Sequence, residues 1–148
     1  MIHRTAAIAV LILSVFTLIL TGCAPTGVST GAGKDDSLAP VAALPKAMQD
    51  APARVRTAYQ FAVAQPDALR NVPCYCGCGG MGHDSNLACY VKEIKQGGEV
   101  VFDDHALGCS LCVDISQDVM RMTEEGQSPE AIRGEILANY SKFGPSNQ

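Results

Sequence analysis

Residues 73–80 read PCYCGCGG. Cys74, Cys76 and Cys78 occupy alternate positions, and two glycines follow. On an extended chain, side chains two residues apart point the same way but stand roughly 6.6 Å apart. A disulfide needs its Cβ atoms about 3.5–4.5 Å apart. Pairing these thiols with one another therefore takes a sharp bend and a small strained ring. A soft metal ion tolerates the spacing better. Thiolates bind at about 2.3 Å, which places the sulfurs of one tetrahedral centre roughly 3.8 Å apart. Gly77, Gly79 and Gly80 let the backbone curl, and Pro73 stiffens the approach. The stretch is thus expected to form a loop with one concave sulfur face.

Three more cysteines lie downstream: Cys89, Cys109 and Cys112. Cys109-Ser110-Leu111-Cys112 opens a helical pattern, where free N–H groups and the helix dipole favour thiolate. Cys89 falls in the first turn of an expected second helix and gains less. His83 and His105 flank the cysteine segments as further donors, and Met81 offers a thioether beside the motif. Asp103-Asp104 reads as a solvated turn, and Met48, Met120 and Met122 as core. Thiolates suit Cu(I), Zn and Fe–S centres. Six sulfurs exceed the need of one zinc, and Cys-x-Cys pairs suit polynuclear thiolate clusters. Cu(I) is therefore the favoured ion, with Zn(II) next.

The N-terminus decides the compartment. His3 and Arg4 precede an apolar run, 6–20, that is short for a membrane span and fits a secretory signal. It ends in Leu20-Thr21-Gly22-Cys23, the pattern of a bacterial lipoprotein. Residues 1–22 are expected to be a cleaved signal peptide and Cys23 to carry lipid, with palmitate among its acyl chains. The protein is then held at the cell membrane on its extracytoplasmic side. In that compartment six cysteines also permit three disulfides, and this alternative stays open.

The full chain carries 11 basic and 15 acidic side chains for a net charge of −4. Losing Arg4 with the signal makes that about −5. No basic cluster exists, so a nucleic-acid partner has no electrostatic footprint. GCGGMG (77–82) lacks a preceding strand and is dominated by cysteine, so nucleotide binding is not expected. No Ser–His–Asp set, paired catalytic carboxylates or phosphate loop stands out, and an enzyme is not expected.

Residues 23–45, rich in Ala, Pro, Gly, Ser and Thr, read as a lipid-anchored tether, and 46–148 as the folded domain. Four helices are expected. The first spans 47–65, with Val55, Ala58, Tyr59, Ala62 and Val63 on one stripe, Asp50 as a cap and Pro52 in the first turn. Pro66 ends it, and residues 67–72 give one more turn. The second covers about 86–96, with Leu87, Tyr90, Val91 and Ile94 on one face and Gly97-Gly98 as its stop. A short extended piece is expected at Val100–Phe102. The third runs from Cys109 to about Glu125. The fourth follows the cap Ser128-Pro129-Glu130 and places Ile132, Ile136, Tyr140 and Phe143 on one face. The fold class is mainly α, a small bundle of about four helices with a Cys/Gly-rich metal-binding loop.

PCYCGCGGMGHDSNLACYVKE (73–93) resembles the PCYCGC-motif family of bacterial lipoproteins. The resemblance extends to the lipobox, to Tyr59, Phe61 and Ala62, to the Gly82-His83 and Ser85 spacing, and to Cys109-x-x-Cys112. It covers nearly all of residues 50–144. It implies an exported, lipid-anchored protein with metal handling as the natural expectation, a donor or acceptor protein for the ion as partner, and Cys74, Cys76, Cys78, Cys89, Cys109 and Cys112 as the functional set. The family has no settled activity. EEGQSPEAIRGEILANYSKFG (124–144) is similar to the last two helices of the thiol-reductase subunit of cytochrome c maturation, with CSLC as the pair before them. The lead-in residues differ and the spacing to the final helix is shorter. This likeness implies an alternative, a thiol–disulfide oxidoreductase using Cys109 and Cys112. A disulfide-stapled interaction protein is the third reading.

Overall fold

The computed structural model describes residues 37–148. The signal peptide, Cys23 and most of the expected tether lie outside the described residues. These residues form a mainly helical domain with five α-helices and one two-stranded sheet. The helices are α1 (Lys46–Gln49), α2 (Ala53–Ala64), α3 (Pro66–Arg70), α4 (Ser110–Glu124) and α5 (Pro129–Tyr140); the strands are β1 (Val91–Ile94) and β2 (Val100–Phe102). None of the described helices is long and apolar enough to cross a membrane.

Packing begins earlier than Lys46. Ala39 and Leu44 are buried. The Ala39 amide donates to the Gln60 carbonyl, and Gln60 Nε2 donates back to the Ala39 carbonyl. The last part of the expected tether thus docks along α2. The expected first helix is broken in two. Asp50 ends α1, and Pro52 precedes α2 instead of entering its first turn. Pro52 restricts Ala51 away from helical geometry, which accounts for the break.

The expected second helix does not form. Leu87–Cys89 make one 3-10 turn, and the chain then enters β1. Val91 pairs with Phe102, Glu93 with Val101 and Ile94 with Val100, antiparallel, with a bulge at Lys92. Gly97 and Gly98, at φ 94° and 87°, turn the hairpin where a helix stop was expected. Leu87, Tyr90, Val91 and Ile94 have helical spacing, but β-branched residues on both sides of a Gly-Gly turn favour a hairpin. The extended piece at Val100–Phe102 is present as β2.

The two long C-terminal helices stand as expected. Cys109 caps α4, Gly126 follows it at φ 74°, and the Ser128 hydroxyl accepts from the Ala131 amide at the start of α5. Cys112, Ile115, Val119 and Met122 of α4 are buried, as are Ile132, Ile136 and Tyr140 of α5. Phe143 departs from the expected stripe: it lies beyond α5 in a 3-10 turn and is 56% exposed. Met48 and Met122 are core residues, and Met120 is half-buried against the core. Tyr59 and Tyr90 meet edge to face at 4.9 Å and join α2 to the segment before β1.

Two glycine substitutions are expected to act with opposite sign. Gly134→Ala, inside α5 with nothing within 4 Å of the new Cβ, should stabilise by about 0.5–1 kcal/mol. Gly98→Ala, at φ 87°, should destabilise by about 1–2 kcal/mol. Urea unfolding of both variants checks the pair.

Candidate metal centre

Four chain segments converge on one point in the core. Cys74 follows Pro73, Cys76 lies two residues on, and Cys78 starts a 3-10 turn that ends at Met81. Gly77 and Gly82 bracket that turn at φ 80° and 85°, a conformation only glycine adopts cheaply. Gly79 and Gly80 have no such requirement. The curl therefore depends on Gly77, as expected, and on Gly82. Cys89 closes the turn before β1, His105 opens another after β2, and Cys109 and Cys112 sit at the cap and first turn of α4.

All six cysteines among the described residues are free thiols. Cys112 Sγ lies 3.4 Å from Cys74 Sγ, 3.6 Å from Cys76 Sγ and 3.2 Å from Cys89 Sγ. Cys74 and Cys76 are 3.3 Å apart, and Cys78 and Cys89 3.9 Å. These separations far exceed an S–S bond of roughly 2.05 Å. They lie near the roughly 3.8 Å edge of a tetrahedral thiolate set. Cys74, Cys89 and Cys112 are fully buried, and Cys78 nearly so.

Three groups of four donors meet the spacing of a metal site, each with all donor atoms within 4.8 Å of one another. The first is Cys74, Cys76, Cys78 and Cys89; the second is Cys76, His105, Cys109 and Cys112; the third is Cys78, His83, Cys89 and His105. All six expected cysteines and both histidines are therefore brought together. Met81 ends the 3-10 turn and is 59% exposed.

Asp103 is the residue that sequence reasoning misplaced. It is 6% exposed, not a solvated turn. One carboxylate oxygen accepts from the His105 amide at 2.8 Å, and the other lies 3.4 Å from His83 Nε2. Lys92 Nζ reaches the same oxygen at 3.6 Å, and the Tyr59 hydroxyl donates to the Asp103 carbonyl at 2.9 Å. His83 is itself buried, and its Nδ1 has no hydrogen-bond partner. A histidine with one nitrogen on a carboxylate and the other buried without a partner has the outer-shell arrangement of a metal ligand.

Asn147 was also missed, because the sequence pattern closes the domain at Gly144-Pro145. The tail returns to the cysteine loop. Asn147 Oδ1 accepts from the Cys74 amide at 2.6 Å, and its own amide donates to the Cys74 carbonyl at 3.1 Å. Its Nδ2 donates to the carbonyls of His83 and Ser85 at 3.1 and 3.3 Å. A Cβ at Gly144 would stand 3.1 Å from the Tyr75 carbonyl oxygen, so the tail packs closely on the loop. From the other side, Asn86 is fully buried; its Nδ2 donates to the Cys112 carbonyl and its Oδ1 accepts from Ser116. The only sequence signal for either residue was its capacity to bridge backbone groups.

The sulfurs share charge unequally. Hydrogen bonds from the Cys112 and Cys89 thiols hold Cys74 as a thiolate, lowering its pKa to about 2. Cys112 is pushed far up by its bonds to Cys74 and Cys89 and by burial. Burial raises Cys76 and Cys78. The bond with Cys112 lowers Cys89, but its bond with Cys74, burial and the charge on Cys74 push it up overall. Charge therefore gathers on Cys74, while Cys76, Cys78, Cys89 and Cys112 keep their protons.

The model of the family described as "Protein of unknown function with PCYCGC motif" matches residues 12–146. The chain belongs to that family. No curated protein and no solved structure matches this PCYCGC-motif protein. The likeness to the cytochrome c maturation subunit accordingly has no support among known structures.

Two outcomes are expected for the metal-free protein. Asn147→Ala strands the buried Cys74 amide and should cost about 1–3 kcal/mol, with faster alkylation of Cys74 and Cys78. Stability should also fall as pH rises beyond 9. Thiols ordinarily titrate near 9.0, and four here are raised in the folded state. Above pH 9 the unfolded chain loses those protons and the folded chain keeps them, which favours unfolding. Cys74, already a thiolate in the folded state, acts in the opposite sense only below that pH. Thermal melts on the alkaline side of pH 9 check the sign.

Proposed function

We propose that this protein is a membrane-anchored extracytoplasmic module that holds soft metal ions in a polynuclear thiolate centre, Cu(I) first, for storage, delivery or detoxification. The observation that carries the reading is the overlap of the three donor groups. Cys76 belongs to two of them, and so do Cys78 and Cys89. Thiolate sulfur can bridge two ions, and a set of shared sulfurs favours a cluster over an isolated ion. Burial favours occupation too, because an anionic sulfur out of water needs a nearby cation.

Zn(II) is the second reading, and the imidazoles favour it. The first group is all cysteine, the second has one histidine among three cysteines, and the third pairs two cysteines with two histidines. Each of these compositions is a known zinc donor set. Placement at the membrane rests on the Leu20-Thr21-Gly22-Cys23 pattern alone. A binding role without bond-making chemistry is supported by Cys74. The most acidic thiol of the centre is fully buried and cannot approach a bulky disulfide.

Native mass spectrometry with elemental analysis, on protein purified reduced and without oxygen, tests the reading. Uptake of more than one copper or zinc per chain is the expected result. No uptake, or a mass lower by six hydrogens, would leave a stapled domain in its place. Asp103→Asn should lower metal affinity by about 10- to 100-fold while the fold persists, read by chelator competition and circular dichroism.

A further inference from the structure

The donor groups differ in how far they reach the surface. Cys74, Cys78, Cys89 and His83 are buried. Cys76, His105 and Cys109 are half-buried, and they form the second group with buried Cys112. His105 Nε2 lies 3.5 Å from Cys76 Sγ, which ties this imidazole to the outer group. Cys109 also borders a surface groove lined by Pro52, Val55, Leu107 and Val113. None of the other five core cysteines lines that groove. On the buried side the backbone is held by Asn147 and Asn86, which fix the carbonyls and amides around Cys74 and Cys112.

Resting on the metal-binding reading above, we propose that the centre has two unequal parts. One is an ion position at Cys76, His105, Cys109 and Cys112 that exchanges with the surroundings. The other is an inner position in the sulfur-only group, Cys74, Cys78 and Cys89 with Cys76 shared, that retains its ion. Cys76, shared between the outer group and the sulfur-only group, is the bridge between them. Exchange is a ligand substitution. A bond from an incoming soft donor to the ion forms as the bond to Cys109 breaks, and the freed thiolate takes up a proton. The ion keeps its oxidation state, so no oxidant or reductant is needed. Access sets the order: an incoming ligand reaches Cys109 from the groove, whereas the inner sulfurs open only when the loop under Asn147 lifts.

The test is the kinetics of metal removal from the loaded, reduced protein by bathocuproine disulfonate for copper. Two phases are expected in the natural sequence. Cys109→Ser should lose the fast phase and keep the slow one. This variant should fold, because Cys109 is the cap of α4 without a side-chain cap bond and serine is a favoured cap. Independently of any variant, N-ethylmaleimide on the loaded natural protein should modify Cys109 before the other five, read by peptide mass spectrometry. Removal in a single phase, loss of both phases in Cys109→Ser, or first labelling of an inner cysteine would overturn the division while leaving metal binding intact. Failure to load any metal would overturn both.

Discussion

Six thiol sulfurs meet where a domain of this size would ordinarily place its largest apolar side chains. The chain has no tryptophan and only 5% aromatic residues, so few bulky groups are available to fill that space. Leu69, Val72, Tyr90 and Ile115 belong to the same buried cluster as Cys74, Cys78, Cys89 and Cys112. Sulfur is tolerated there because a neutral thiol behaves as a small hydrophobe. Without a cation, the arrangement stays neutral enough for burial only while most of the thiols keep their protons. The raised pKa values of Cys76, Cys78, Cys89 and Cys112 are the electrostatic expression of that constraint.

The helices and the hairpin are positioned by the same convergence. The first turn of α4 delivers Cys112 into the sulfur cluster, the next turns bury Ile115 and Val119, and the helix packs on α2 and α5. The hairpin carries none of the candidate donors, yet it spaces two turns that do: Cys89 lies just before β1 and His105 just after β2. The Asp103 amide donates to the Tyr90 carbonyl at 2.8 Å, which closes the base of the hairpin beside the site. A helix over 86–96 would have carried residue 96 well away from this point. The strand pair returns the chain to its starting place within a dozen residues, and that return brings His105 to the sulfurs.

Much of the fold was legible because its signals are local. Ser128-Pro129-Glu130 and Gly126 mark the boundary between the two long helices through capping chemistry, which acts within one turn. The cysteines were legible for a different reason: their spacing restricts what they can bond to, whatever surrounds them. The hairpin was misread because Leu87, Tyr90, Val91 and Ile94 satisfy a helical period by coincidence, while the evidence for β pairing was spread over two segments. Pairing across a turn is a non-local property, and periodicity within one window does not contain it.

Asp103 and Asn147 were illegible for a deeper reason. Neither residue type is unusual, and neither sits in a motif; each matters through groups that tertiary packing brings within reach. Asp103 joins His83, His105, Lys92 and Tyr59, which span residues 59 to 105. Asn147 joins Cys74, His83 and Ser85 from the other end of the chain. A cysteine announces its chemistry by its own sulfur, but the residues that aim it are recognised only by what they touch. The donor set was therefore visible before the structure, and the support that gives it shape was not. That support also distinguishes a built centre from a chance gathering of thiols. A chance cluster would have no need of a buried carboxylate on one histidine or of a tail that returns to clasp the loop.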